Sequence, residues 1–285
     1  MPWPWSSMRA CKGLLLLLLL SPFLSSTPLY KRVVPLSPAL TEMVAALGEG
    51  GRIVGVPTFT QFPEEVKRLP RIGVFQNVNT EVLLSLHPDL ILAYREDVKA
   101  RNICSRYKLE CRFFAHKTLQ DIQETIGGIG ALLGRTKEAK GLNDRIRRGL
   151  GEVKKSVPRR LRVLVVVDRE IGSFQNLYVL GRGDFLSELL DLAGGENVYT
   201  GGLTYARVSQ EIFYTSKPDR IIELAPSLSE RGLTPERLMQ DWERFQGGVY
   251  RGRVSVVTDP LAVIPGPRVV ETARLLRRLL RSLKP

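Results

Sequence analysis

Residues 75–89 read FQNVNTEVLLSLHPD, and residues 205–219 read YARVSQEIFYTSKPD. Aligned on Glu81 and Glu211 without a gap, the copies place an aromatic (Phe75, Tyr205) six positions earlier, a valine (Val78, Val208) three earlier and a small polar residue (Asn79, Ser209) two earlier. Pro88-Asp89 and Pro218-Asp219 follow at seven and eight positions later. Asn79 and Ser209 are favoured N-caps, because their side chains accept an N–H left unpaired in the first helical turn. Glu81 and Glu211 then fall in that turn, where the free N–H groups and the helix dipole favour an acid. One copy alone asks for no more than a stabilised helix. Two copies, each leading into an apolar segment (LILAY from Leu90, RIIEL from Arg220), predict two α/β units with equivalent helix starts at the mouths of two sheets. One exposed aromatic and one exposed acid per unit describe a cleft with matched walls, since open α/β sheets take ligands in the loops at their strand ends.

The rest of the chain follows the same alternation. RVVPLS from Arg32 reads as a short strand, and Ser37-Pro38 opens a helix with Ser as cap and Pro in the first turn. RIVGV (52–56) and PDLILAY (88–94) read as strands, with PEEVKRLP between them as a short helical or irregular bridge. VKARNICSRYKL and LQDIQETIGGIGALLG read as helices around a strand, CRFFAH. Residues 136–157, TKEAKGLNDRIRRGLGEVKKSV, are polar with a thin apolar stripe, the pattern of an exposed connecting helix, although Gly141, Gly149 and Gly151 argue against its continuity. Pro158 closes it, and LRVLVVVD starts a second buried parallel strand. DFLSELLDLAG, VSQEIFYTS and TPERLMQDWERF then read as helices, DRIIEL and RVSVVTD as strands, and GPRVVETARLLRRLLRSL as the last helix. The expected fold is α/β: two Rossmann-like lobes (30–135 and 158–285) with mainly parallel sheets, joined by a single long bridging helix (136–157), with a ligand cleft between them.

Residues 1–26 read as a signal peptide, with Arg9 and Lys12 ahead of an apolar run from Leu14 to Leu20 and a small-residue exit. That run is shorter than the ~20 residues a bilayer span requires. Cys11 precedes the run and no Cys follows it near the cleavage point, so an exported, periplasmic protein without a lipid anchor is expected. Cys104 and Cys111 then remain; in an oxidising compartment a disulfide closing a short loop is expected, with two buried thiols as the alternative. The formal charge of +13 drops by two when Arg9 and Lys12 are removed, and the remaining Lys and Arg are scattered without interleaved aromatics. That is a solvated basic surface, not a nucleic-acid groove.

An enzyme needs convergent titratable groups, and the chain has only two histidines, His87 and His116. His116 follows a strand exit and reads as a loop residue; no catalytic, metal or cofactor site is expected. GGIGALLGRTKE lacks the spacing of a phosphate loop. RGD at 182–184 sits where a strand turns into a helix, with Asp184 as a ready N-cap, so adhesion is not implied.

RVVPLSPALTEMVAALG, RIVGVPTFTQFPEEVKRLPRIGVFQNVNTEVLLSLHPDLILA, ELLDLAGGENVY and YARVSQEIFYTSKPDRII together resemble the substrate-binding proteins of bacterial ABC importers for cobalamin, ferric siderophores and haem, over nearly the whole mature chain. The resemblance implies a monomer that takes a small molecule between its lobes and delivers it to a permease dimer in the inner membrane. It is closest to the cobalamin-binding members, where one acid per lobe docks on permease arginines; the matching positions are Glu81 and Glu211. Cobalamin is held there largely by aromatics, matching Phe59, Phe75, Tyr94, Tyr178 and Tyr205. Rigid aromatic faces suit a large, flat ligand at low entropic cost. Where those members carry several tryptophans this chain has Phe75, Tyr94 and Tyr205, and their second-lobe disulfide has no counterpart. Arg95 and Arg207 flank the expected cleft and suit the anionic oxygens of a siderophore or haem, which therefore stay open as ligands. Phe59 and Phe75 also fit a lobe core, and an enzyme on the same scaffold is the remaining alternative.

Overall fold

The computed structural model describes Met1 and residues 30–74, 77–155 and 159–281. The expected signal peptide after Met1, the expected cleft residue Phe75, and residues 156–158 at the end of the expected bridge lie outside them. The first lobe starts with β1 (Val33–Pro35), wholly buried, and α1 (Pro38–Ala46), where Ser37 Oγ accepts the Leu40 N–H at 3.1 Å. A tight antiparallel pair, β2 (Gly73–Val74) and β3 (Asn77–Val78), precedes α2 (Thr80–Ser85). Then come β4 (Leu90–Tyr94), α3 (Val98–Tyr107), β5 (Cys111–Phe114) and α4 (Leu119–Leu132). β1, β4 and β5 form a parallel sheet in that order, with Val34 opposite Ile91 and Ala93 opposite Phe113. A disulfide joins Cys104 of α3 to Cys111 at the start of β5. The expected strand over RIVGV is reduced to isolated bridges, Val33 to Ile53 and Val56 to Arg71. Gly55 interrupts it under Leu86, whose Cδ1 would stand 2.4 Å from a Cβ there.

α5 (Thr136–Lys155) is one unbroken helix despite its glycines. The second lobe follows as β6 (Leu161–Arg169), β7 (Leu177–Leu180), α6 (Phe185–Ala193), β8 (Gly195–Asn197), β9 (Tyr205–Val208), α7 (Ile212–Ser216), β10 (Arg220–Leu224), α8 (Pro235–Arg244), β11 (Val254–Val257) and α9 (Val269–Arg281). Gly149 of α5 explains why a weak helix former was placed there: a Cβ would stand 2.7 Å from Cγ1 of Val270, so glycine lets α9 approach. β6 pairs in parallel with β8 and β10, and β10 with β11. β7 and β9 add antiparallel strands at the other edge. Here the structure corrects the sequence reading: Val208, expected in a helix, ends β9, and the helix begins at Ile212.

One apolar core runs through both lobes, taking in Leu40 of α1, Ile126 of α4, Ile146 of α5, Leu189 of α6 and Leu276 of α9. Each such side chain stabilises the fold by about 1.5–3 kcal/mol relative to exposure. A second bond between lobes is ionic: Arg268, just before α9, pairs with buried Glu42 of α1 at 2.9 and 2.5 Å, and Phe62 stacks on its guanidinium at 4.2 Å. Burial raises the Glu42 carboxyl pKa even beside this arginine. A shared core and a clasped arginine oppose wide separation of the lobes.

Candidate functional site

Three of the expected cleft residues meet on one face of the second-lobe sheet. In the β7–β9 ladder Tyr178 stands opposite Arg207 and Leu180 opposite Tyr205, and alternation along β9 puts Tyr205 and Arg207 on the same side. Tyr178 and Tyr205 are 44% and 48% exposed, beside strand neighbours Val179 and Ala206 that are buried. Arg207 is exposed but not loose, since its Nε and Nη2 donate to Asn176 Oδ1 at 3.2 and 2.7 Å. The Tyr205 hydroxyl donates to Asp184 Oδ2 at 2.9 Å, and Asp184 Oδ1 accepts the Leu186 N–H at 2.9 Å as the N-cap of α6. Burial, then the Asp184 charge and hydrogen bond, push the Tyr205 pKa above its ordinary value.

The segment REIGSFQN ahead of Tyr178 is locked from behind. Arg169 is buried between Glu223, 2.8 Å away, and Asp241, 3.0 Å away. Asp241 also accepts the Gly172 N–H at 2.8 Å, and Trp242 Nε1 donates to Glu223 at 2.6 Å. Phe174 packs into the aromatic cluster of Phe213, Trp242 and Phe245. Burial raises the Glu223 carboxyl pKa; for Asp241 the same burial is outweighed by bonds from Arg237, Gly172 and Arg169, and its pKa is lowered.

On the first lobe Phe59 is 53% exposed. Its loop is tied down by the Thr58 N–H to Gly73 O at 2.8 Å and by Arg71, which donates to the Pro57 and Thr60 carbonyls at 3.2 and 3.0 Å. Arg95 is exposed just after β4. Tyr94 is different: it is 7% exposed, and His116 stacks on its ring at 3.9 Å. Burial raises the Tyr94 pKa and lowers that of His116, against the pull of Glu96 3.5 Å away. His116 thus covers the tyrosine that the sequence places in the cleft.

The two walls connect directly. Phe185, next to Asp184, donates its N–H to the carbonyl of Lys117, next to His116. Glu188 of α6 accepts the Leu119 N–H of α4 at 2.8 Å. Each helix start therefore gives a hydrogen bond to the opposite lobe. Glu81 and Glu211 are both exposed. Asn79 caps α2 as expected, accepting from Val82 at 3.1 Å, but Glu211 is the residue before α7 rather than inside its first turn. Asn176, Asp184 and the stacking role of His116 were missed in the sequence, where only the capping use of Asp184 had a local signature. Among the described residues no group of three or more His, Cys, Asp or Glu is placed to hold a metal ion, and no helix is long and apolar enough to cross a membrane.

The profile of one family, described as periplasmic binding protein, matches residues 33–247. The chain belongs to that family. It is 27% identical over 202 residues to the vitamin B12-binding protein of Pectobacterium atrosepticum, covering 67% of this chain and 71% of that one. It is 27% identical over 254 residues to the ABC transporter substrate-binding lipoprotein YvrC of Bacillus subtilis, covering 85% and 77%. Among solved structures, the periplasmic haem-binding protein BhuT in complex with two haems superposes with a TM-score of 0.74 at 26% identity, over 88% of this chain and 98% of its own. The fold is thus shared with a protein solved in complex with haem, and part of the sequence with one named for vitamin B12.

Proposed function

We propose that this protein captures cobalamin or a related corrinoid between its lobes (30–135 and 158–285, bridged by 136–157) and delivers it to the permease dimer of an ABC importer, without chemical change. The observation that carries the reading is the exposed Tyr178, Arg207 and Tyr205 face on β7 and β9, two aromatic plates around one pre-set cation. Flat faces of fixed orientation favour a broad macrocycle with few hydrogen bonds. Phe59, Phe75, Tyr94 behind His116, and Arg95 supply the opposing wall, and Glu81 and Glu211 are the permease contacts. The vitamin B12-binding relative supports this choice.

Haem or a ferric siderophore is the second reading. It is favoured by the Arg207 guanidinium, which Asn176 holds ready for a carboxylate, and by the likeness to BhuT. Calorimetry of the mature protein with cobalamin, haemin and a ferric hydroxamate separates them. One cobalamin per chain, recovered unaltered, is expected. No heat with cobalamin alongside tight haemin or siderophore binding would overturn the corrinoid assignment.

A further inference from the structure

Tyr205 is half exposed by its ring, yet its hydroxyl turns back into its own lobe and is spent on Asp184 Oδ2 at 2.9 Å. Asp184 is 7% exposed, and its other oxygen is spent on the Leu186 N–H at 2.9 Å. The neighbouring residue, Phe185, is bonded to Lys117 of the opposite lobe. The anchor of Tyr205 is therefore fixed to a helix start and, one residue on, to the other lobe. The backbone beneath the ring is fixed as well. The Gly181 N–H donates to Thr204 O at 2.7 Å, and a Cβ at Gly181 would lie 1.9 Å from Leu203 O, so only glycine lets residues 203–205 pass this close.

We infer that Asp184 is a positioning residue for ligand recognition: it holds Tyr205 as a flat wall and withholds its oxygen from metal coordination, so this position selects ligands by a broad face rather than by phenolate–metal bonding. The inference rests on the capture function proposed above. Burial and the adjacent carboxylate both hold the phenol in its protonated form, which agrees with the geometry.

The RGD tripeptide thereby gains a role that neither adhesion nor capping supplies. Asp184→Ser keeps an N-cap residue for α6 but is too short to reach Tyr205, whereas Asp184→Ala loses cap and tether together. Ring-labelled tyrosine NMR on the ligand-free protein reads the tether alone, the Tyr205 signal being the one missing from Tyr205→Phe. In Asp184→Ser its ionisation should move down but stay above the ordinary value, because burial, the larger cause, remains while the carboxylate and its hydrogen bond are gone. An unmoved midpoint overturns the inference. This measurement needs no ligand, so it decides the tether even if the wild-type protein takes no corrinoid and the proposed function fails.

For binding, calorimetry with hydroxocobalamin should show about tenfold weaker affinity for Asp184→Ser, Asp184→Ala and Tyr205→Phe, and no further loss when Asp184→Ser and Tyr205→Phe are combined. The melting temperature should fall further in Asp184→Ala than in Asp184→Ser. Affinity that follows the melting temperature, or additive losses in the double variant, would make Asp184 merely structural. Haemin added to the wild type should give no phenolate-to-iron absorption band; such a band, lost in Tyr205→Phe, would overturn the idea from the metal side.

Discussion

The two copies of the repeat end in the same construction and begin in different ones. In both, the helix is followed by a residue with left-handed backbone (His87, φ 44°; Lys217, φ 43°), then Pro-Asp, then a buried strand. Asp89 accepts the N–H groups of Lys31 and Arg32 at 2.7 and 2.8 Å, and Asp219 accepts that of Arg162 at 2.9 Å. Arg32 reaches the Leu86 carbonyl at 2.6 Å, and Arg162 bonds the equivalent carbonyl of Ser216. An aspartate and an arginine thus stitch each helix end and each strand, β4 or β10, to its parallel neighbour, β1 or β6. The entries differ. Phe75 follows a two-residue strand opened by Gly73 at φ +96°, where a Cβ would stand 2.5 Å from Asn77 O. Tyr205 starts a four-residue strand at the edge of the large sheet, with its hydroxyl tied to Asp184. The common part places an acid at each helix start, and the variable part is where the two lobes depart from each other.

If the common part serves docking, its acids should act as a pair. Glu81→Ala with Glu211→Ala is expected to reduce stimulation of the permease ATPase at least about tenfold in reconstituted vesicles, with each single variant in between. Ligand affinity should stay within about twofold, because both side chains are exposed and lie outside the aromatic faces. A double variant that stimulates like wild type removes the docking role and leaves two helix-stabilising acids.

The stitching predicts an asymmetry of smaller size. Asp89 satisfies two backbone N–H groups and Asp219 one, so Asp89→Ala should cost about 2 kcal/mol and Asp219→Ala about 1 kcal/mol, after allowance for solvent at these exposed bonds. Urea unfolding reads both. Equal losses would mean that the number of bonds does not set the difference between the copies.

What the sequence disclosed follows the same division. The repeat placed β4, α2, β10 and Glu81 correctly, because capping residues, Pro-Asp and apolar runs act locally, but it put Glu211 inside the helix that it precedes. It did not disclose β7, nor β9 as a strand. YARV is only four residues long, and QEIFYTS beside it carries a helical pattern, so the pairing of β9 with β7 is settled by partners distant in the chain. The helix over 136–155 was legible from its stripe, whereas its tolerance of Gly149 depended on Val270, which no local pattern reveals. At the site, the Gly-rich stretch before Tyr205 pointed to its exposure, whereas the place of Tyr178 after the REIGSFQN segment had no local signal, and the burial of Tyr94 under His116 depends on how β4 and the residues after β5 meet. Asp184 could be read as a cap because that role is local. Its hold on Tyr205, beyond α6 and β8 in the chain, is not local and could not be read.

The smallest effect tests whether the two helix starts are as alike as the repeat makes them look. Asn79 Oδ1 accepts the Val82 N–H at 3.1 Å, a side-chain cap on α2, so Asn79→Ala should cost about 1 kcal/mol. Ser209 Oγ meets only the Glu211 N–H at 3.3 Å, before α7 begins, and α7 has no side-chain cap bond. Ser209→Ala should therefore cost about 0.5 kcal/mol or less. Unfolding of both variants in parallel gives the answer, and a cost at Ser209 equal to that at Asn79 would show that the second copy starts its helix at the serine, as the repeat alone suggests. Glu211 lies in a turn outside the helix it precedes, while Glu81 lies inside one. The two acids, aligned in the repeat, therefore stand on different backbone, and a difference between the two capping costs reports that difference directly.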